Sequence, residues 1–171
     1  MNKPVRGLIE GKPVLVIVDA QRTAFPRTPQ LIEAARKNSV PIVFATDPRT
    51  EATLQLALGP NEFVIRPPRL SVFFGTELPV LMRELRAQTV ILAGGETSTR
   101  VHYSFVDAHQ HDYFCRVIEE CMAGSSPRAQ EAALRAMEYM QTGARRKCDE
   151  VMIAFGTFGK EAATTRQGAR T

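Results

Sequence analysis

The sequence has no tryptophan, only three tyrosines and only three cysteines among 171 residues. A small, odd number of cysteines does not predict a disulfide framework and fits a reducing compartment. The first twelve residues lack an apolar segment followed by a cleavage site, so we expect no secretion signal. The longest apolar runs, 14–18 and 90–93, fall far short of the roughly 18 residues that a membrane span needs. We therefore expect a cytoplasmic protein with no membrane partner.

The charge balance is weakly basic and unevenly distributed. The chain has 22 Lys and Arg against 18 Asp and Glu, a net charge of +4. Residues 141–171 hold six basic and three acidic groups, so +3 of the +4 lies in this segment. A surface that tracks phosphates needs a basic stripe, preferably with stacking aromatics. We expect no nucleic-acid partner, and attachment of the basic tail to nucleic acid or membrane remains a minor alternative.

Two kinds of segment alternate along the chain, which we predict to be one domain over residues 1–171 with a flexible tail at 160–171. Apolar, β-branched runs alternate with amphipathic segments of helical period. The predicted strands cover 13–19, 40–46, 62–66, 89–93, 113–119 and, weakly, 143–146; the predicted helices cover 29–38, 51–58, 77–88, 98–110, 129–140 and 149–155. This order predicts an α/β fold with a three-layer, doubly wound, mainly parallel sheet of the Rossmann-like kind.

Ligands of such sheets bind beyond the carboxyl ends of the strands. That rule marks Asp19, Asp47, Pro67, 94–100 and 120–121. The chain has neither the GxxxxGK[ST] nor the GxGxxG phosphate loop, and we expect no cofactor.

Three ordered segments carry a family resemblance. They are VIVDAQ at 16–21, RLSVFFGTEL at 69–78 and VILAGGET at 90–97. Together with 120–125, 133–134 and 140–144, they resemble the isochorismatase-like, or cysteine hydrolase, superfamily over about residues 12–155. The resemblance implies the isochorismatase-like hydrolase fold.

It also implies a triad of Asp, Lys and Cys that hydrolyses small amides. In such a triad the thiolate attacks the carbonyl, the Asp transfers the proton and the Lys steadies the charge. The Asp position falls on Asp19, but the Lys position falls on Pro67 and the Cys position on Arg100. A guanidinium stays protonated at any working pH and cannot be a nucleophile. We therefore expect no thiol-dependent amidase activity.

The same resemblance assigns further candidate substrate-binding residues, and it predicts a cis peptide bond at Gly95–Glu96. The candidates are Gln21, Phe25, Gly95, Glu96, Thr97 and Cys121. Cys121 as a replacement nucleophile is the weaker interpretation, because a buried, inert thiol is more common at the end of a strand. Cys115 and Cys148 are weaker candidates still.

The histidines do not predict a metal site. His102, His109 and His111 lie in or just after one helix, and none of them are spaced i, i+4. Some amidases that the chain resembles hold a metal with Asp and His near the second strand, but here Asp47 is followed by Pro48 and Arg49. We expect surface histidines and no metal.

Two main hypotheses follow. In the first, the protein is a non-catalytic relative that binds a ligand, such as a small anionic molecule, or serves in assembly. In the second, Asp19 is the general acid of an isochorismatase-type hydrolase, and Arg100 holds the carboxylate of a small substrate. The resemblance also implies a homo-oligomer, a dimer or larger.

A local rule adds a structural expectation for Arg100. A cation in the first turn of a helix opposes the helix dipole, and burying an unpaired guanidinium is costly. We therefore expect Arg100 to pair with Asp19 or, as second choice, with Glu96.

Overall fold

The computed structural model describes residues 7–20, 26–47 and 58–168, with side chains as far as residue 164. Its strands form one six-stranded sheet in the order β3-β2-β1-β4-β5-β6, and every neighbouring pair is parallel. The strands are β1 Lys12–Val18, β2 Ile42–Ala45, β3 Glu62–Ile65, β4 Ala87–Gly95, β5 Phe114–Ala123 and β6 Arg145–Arg146. The predicted α/β, three-layer, doubly wound class is confirmed.

Helices cover both faces of the sheet, and the alternation of side chains along β1 shows why. Val14, Val16 and Val18 enter the core shared with α2, α3 and α4, while Leu15 and Ile17 enter the core shared with α1 and α5. All five side chains are 0–2% exposed, as expected of a parallel strand covered on both faces. The helices are α1 Thr28–Lys37, α2 Leu78–Glu84, α3 His102–Gln110, α4 Pro127–Met140 and α5 Cys148–Gly168, with a π-helical turn Thr97–Val101 leading into α3.

Several element bounds differ from the sequence-based prediction. Helix α2 ends at Glu84 and not at Gln88, because Arg86 adopts a left-handed conformation (φ 51°) and β4 begins at Ala87. Residues 160–168, predicted as part of a flexible tail, continue α5, since Glu161, Ala162 and Ala163 favour helix. The helix predicted at 51–58 lies almost wholly outside the described residues.

The strand order places a ligand crevice between β1 and β4. The chain builds β2 and β3 on one side of β1 and then returns to build β4, β5 and β6 on the other. At such a switch point the loops after neighbouring strands diverge and leave a crevice at their carboxyl ends. Asp19 directly follows β1, and Glu96 directly follows β4, so both candidate residues border this crevice.

Close contact between β1 and β4 requires a glycine at the edge of this crevice. Gly94 pairs with Val18 and has a φ of 111°. A Cβ atom there would lie 2.0 Å from the Val18 carbonyl oxygen.

None of the helices in the described part of the chain has the length and apolar character of a transmembrane span.

Candidate functional site

An ion pair between Arg100 and Asp47 lies beyond the carboxyl ends of β4 and β2, at the switch point. Arg100 lies in the π-helical turn after β4, and Asp47 lies two residues after β2. The Arg100 Nη2 atom donates to the Asp47 Oδ2 atom at 2.7 Å. The two side chains are only 16% and 12% exposed, so the pair is largely shielded from water.

The position of this pair follows from the strand order. β1 lies between β4 and β2, so the Arg100 side chain must extend past the carboxyl end of β1 to reach Asp47. Two strand spacings amount to about 10 Å, which a long arginine helps to bridge. The guanidinium therefore lies beyond the carboxyl end of β1, at the switch point.

Asp19 lies at the end of β1 in an unusual backbone conformation. Its φ is 54°, in the left-handed region that residues other than glycine seldom adopt, and the residue is 7% exposed. Such conformations concentrate at functional sites, where the surrounding structure maintains them. The structure thus keeps the candidate general acid buried at the crevice.

Glu96 is held by its own hydrogen bonds. Its carboxylate accepts from the Ser98 hydroxyl at 2.7 Å, the Ser125 backbone N–H at 2.8 Å and the Thr99 hydroxyl at 3.1 Å. Burial raises the pKa of Glu96, but these hydrogen bonds outweigh burial and leave that pKa below its ordinary value. The carboxylate accepts hydrogen bonds from the turn and from Ser125, and it does not pair with Arg100.

The partner predicted for Arg100 was therefore wrong, although pairing with a carboxylate was correct. Glu96 is occupied by the groups just described, and the Arg100 guanidinium pairs with Asp47. From the sequence, Asp47 is marked among the strand ends where ligands bind, but it is named neither as a site residue nor as the partner of Arg100. Its position after β2, the neighbour of β1, was the signal that could have identified it.

The cis peptide bond predicted after β4 is confirmed. Gly95 ends β4, and the Gly95–Glu96 peptide bond is cis. Thr97 begins the π-helical turn and is fully buried. Its hydroxyl has no hydrogen-bond partner among the residues that the structure describes. A buried hydroxyl in this state is available to a ligand or a water molecule.

No replacement for the lysine position stands out among the described residues near β3. Pro67 is buried in the loop after β3, whereas Arg66 and Arg69 on either side are exposed. The Arg69 Nη1 atom donates to the Pro68 carbonyl oxygen at 3.4 Å. In the described structure the guanidinium of Arg100 is thus the cation that lies in the crevice.

Cys121 lies away from this group. It packs in the core between the sheet and helices α1 and α5, with its Sγ atom 3.7 Å from that of Cys148. Val101, next to Arg100, packs in the core on the other face of the sheet.

Two further candidate residues, Gln21 and Phe25, lie outside the described residues. Among the described residues, no group of three or more His, Cys, Asp or Glu side chains is arranged to hold a metal ion.

Comparison with known proteins identifies the family. The family model of the isochorismatase domain matches residues 12–145. The chain belongs to the isochorismatase family. It is 26% identical over 132 residues to an isochorismatase family protein, YaaI, of Bacillus subtilis (strain 168), covering 66% of this chain and 73% of that one.

Enzymes with assigned substrates match over shorter segments. A maleamate amidohydrolase of Pseudomonas putida is 37% identical over 74 residues, which is 43% of this chain and 35% of the enzyme. An ureidoacrylate amidohydrolase of Methylorubrum extorquens is 31% identical over 80 residues, 46% of this chain and 32% of the enzyme. The matched segments thus span only about a third of these two enzymes.

Solved structures of the isochorismatase family share the fold. A cysteine hydrolase from Pseudomonas syringae superimposes with a TM-score of 0.79 at 19% identity, covering 92% of this chain and all of that one. A nicotinamidase from Staphylococcus aureus superimposes with a TM-score of 0.70 at 20% identity, covering 80% of this chain and 98% of that one. At such identities the likeness shows the common fold.

Proposed function

We propose that this isochorismatase-family protein lacks thiol-dependent amide hydrolysis and acts as a non-catalytic relative whose crevice binds a small anionic molecule. The observation that carries the proposal is the ion pair of Arg100 with Asp47 at the switch point. By resemblance, Arg100 stands where the cysteine hydrolases have their nucleophile. A guanidinium has no lone pair to offer to a carbonyl carbon.

The anion is inferred from the donors that remain in the crevice. Arginine has five N–H donors, and among the described residues the guanidinium donates only to Asp47. A carboxylate or similar anion fits the planar donor pattern of the other N–H groups. The buried Thr97 hydroxyl, at the start of the same turn as Arg100, is a further donor without a partner among the described residues. The crevice therefore supports recognition of an anion without supplying a nucleophile.

The test is an ammonia-release assay on the amides that the relatives' names provide. Nicotinamide, maleamate and ureidoacrylate are incubated with the wild-type protein and with Cys121→Ala. We expect no release above the protein-free blank from either protein. Release that scales with wild-type concentration and disappears in Cys121→Ala would show that another thiol has taken over catalysis.

Binding is measured separately, by calorimetric titration with maleate as a small dicarboxylate probe. We expect weak binding to the wild type and loss of at least about tenfold in affinity in Arg100→Met, which corresponds to about 1.4 kcal/mol. Arg135→Met removes an exposed cation from α4 and serves as the control, because the Arg135 side chain is 76% exposed. Equal affinity in all three proteins would reject Arg100 as the anion site.

A second function is supported by Asp19. The residue remains at the switch point, buried and in a left-handed conformation, and Arg100 in the turn after the neighbouring strand β4 offers a cation for a carboxylate. Hydrolysis of a vinyl ether such as isochorismate requires an acid that protonates carbon and does not require a thiol. Pyruvate release from isochorismate that is lost in Asp19→Asn, with an unchanged melting temperature, would favour this hydrolase over the non-catalytic role.

A further inference from the structure

Two buried cysteines face each other on the side of the sheet that helices α1 and α5 cover. Cys121 lies in β5 and Cys148 begins α5, and both residues are 0% exposed. The Cys121 thiol donates to the Cys148 sulfur across 3.7 Å. Both thiols are free. The proposed function uses neither of them.

The two sulfur atoms lie close together because β5 and the start of α5 are neighbours. Strand β6 pairs with β5 in parallel register, with Ile118 opposite Arg146. Cys148 comes two residues after Arg146, at the start of α5, and Cys121 comes three residues after Ile118, near the end of β5. Neighbouring strands lie about 4.8 Å apart. Natural disulfides join Cα atoms roughly 4.4–6.8 Å apart.

The electrostatic surroundings distinguish the two sulfurs. Cys148 lies at the N-terminus of α5, a position that favours a thiolate. The hydrogen bond from Cys121 and the charge of Arg27 lower the pKa of Cys148, against the opposing effects of burial and of Glu120 and Asp149. The same hydrogen bond, together with burial, raises the pKa of Cys121. Cys148, which begins α5 and accepts the hydrogen bond from Cys121, is thus the more acidic thiol of the two.

We propose that Cys121 and Cys148 form a reversible intramolecular disulfide when the protein meets a hydroperoxide. The sulfur-to-sulfur distance then shortens from 3.7 Å to about 2.05 Å, which side-chain rotation and small backbone shifts provide. The bond ties the end of β5 to the start of α5, beside the Arg27–Asp149 ion pair near the start of α1. The site is a modification site, separate from the crevice of Arg100.

The chemistry proceeds in two balanced steps. The Cys148 thiolate attacks one oxygen of hydrogen peroxide, so an S–O bond forms, the O–O bond breaks, and the departing hydroxide takes up a proton to become water. The Cys121 sulfur then loses its proton and attacks the Cys148 sulfur. The S–S bond forms, the S–O bond breaks, and a second water leaves. Two electrons pass from the sulfurs to the peroxide.

The test treats the folded, full-length protein with hydrogen peroxide and then blocks the remaining thiols. Peptide mapping without reductant is expected to find 121 linked to 148, and the intact mass is expected to fall by about 2 Da before blocking. Thiol titration is expected to show one of the three cysteines remaining and all three after dithiothreitol. These readouts on the wild type do not depend on any variant folding.

Matched variants locate the reaction. Cys115→Ala removes the third cysteine, which is equally buried in β5 but on the other face of the sheet, and is expected to leave the linkage intact. Cys121→Ala and Cys148→Ala are each expected to abolish it. Wild-type protein that keeps all three thiols, or is oxidised at Cys148 to the sulfinic acid without a linkage, would overturn the proposal.

Discussion

Arg100 and Asp47 are both mostly withdrawn from water, at 16% and 12% exposure. Replacing Arg100 by Ala leaves a shielded carboxylate near β2 without its cation. Breaking a fully buried pair costs about 3–5 kcal/mol and an exposed pair less than about 1, so we expect a loss of about 1–3 kcal/mol here. Urea unfolding followed by circular dichroism measures this loss.

The double variant with Asp47→Asn completes a thermodynamic cycle for this pair. We expect the two substitutions together to cost less than the sum of the single ones, because each removes the same interaction. Arg135→Ala, which breaks the exposed pair with Glu131 on α4, should change stability by less than about 0.5 kcal/mol. Strict additivity of Arg100→Ala and Asp47→Asn would mean that the ion pair contributes no coupling.

Sequence reasoning predicted that Arg100 needs a carboxylate but not which one. The need follows from local chemistry, a cation in the first turn of a partly buried helix. The choice depends on how far a side chain extends across β1 and on which carboxylates are already hydrogen-bonded. Glu96 does not pair with Arg100 because its carboxylate already accepts hydrogen bonds from Ser98, Thr99 and Ser125. The hydrogen bond from Ser125 joins residues 29 positions apart in sequence. Contacts of that kind become visible only once the sheet is assembled.

Alanine substitution at two glycines in regular elements is expected to change the stability of the protein in opposite directions. Gly94→Ala places a Cβ 2.0 Å from a backbone oxygen of β1 at a φ of 111°, so we expect a loss of more than about 3 kcal/mol or no folding. Gly156→Ala in α5 meets nothing within 4 Å and should gain about 0.5–1 kcal/mol from helix propensity. Thermal unfolding of both variants measures the contrast, and a stable Gly94→Ala protein would contradict the close approach of β1 and β4.

Glu96, just before the π-helical turn, is expected to make the stability of the fold depend on pH in the acidic range. The folded-state pKa of Glu96 is lowered, because its hydrogen bonds outweigh burial. Its stabilising contribution is therefore present above the ordinary carboxyl pKa of about 4.3 and is lost as the pH falls through the lower, folded-state value. Glu96→Gln should be less stable near pH 7 and lose less stability on acidification.

Urea midpoints measured between pH 7 and pH 3 check this dependence. Glu84→Gln removes an exposed carboxylate from the end of α2 and is the matched control, expected to follow the wild-type curve. Parallel curves for wild type and Glu96→Gln would show that Glu96 does not contribute to the acid sensitivity.

The existence of most elements was predictable, but several of their ends were not. The buried β-branched runs predicted β1 and β4, since few other environments accept such runs. The end of α2 depends on Arg86 entering a left-handed conformation, and the length of β5 depends on a register irregularity opposite Leu92 and Gly94. Neither leaves a pattern in the sequence, because both are set by the neighbouring strand.

The strand order of the whole sheet determines which loop residues lie next to one another at the switch point. Alternation along the chain predicted a doubly wound sheet, and the switch-point rule then marked the residues after β1 and β4. Asp19 follows β1, and Gly95, Glu96 and Thr97 lie at the end of β4 and in the turn after it, at the same edge of the sheet. The packing of Cys121 against Cys148 was not predicted, because it depends on α5 beginning beside the end of β5.

Two exposed aromatic side chains form a candidate surface for the predicted self-association. Phe74 and Tyr103 are 62% and 55% exposed, and they lie on neighbouring segments, since the Val72 N–H donates to the Ser104 hydroxyl. Exposed aromatics near each other are typical of association surfaces. We therefore expect light scattering at micromolar concentration to give a mass of at least twice the 19.0 kDa of the chain.

A charged substitution tests whether these aromatics form the contact. Phe74→Asp places a carboxylate in the apolar surface and should shift the mass toward that of one chain, because a charge buried in an interface without a partner is costly. Tyr139→Asp is the control: Tyr139 is 87% exposed on α4 and should leave the mass unchanged. A wild-type mass of 19.0 kDa would reject self-association altogether. An oligomer unaffected by Phe74→Asp would place the interface on another face of the molecule.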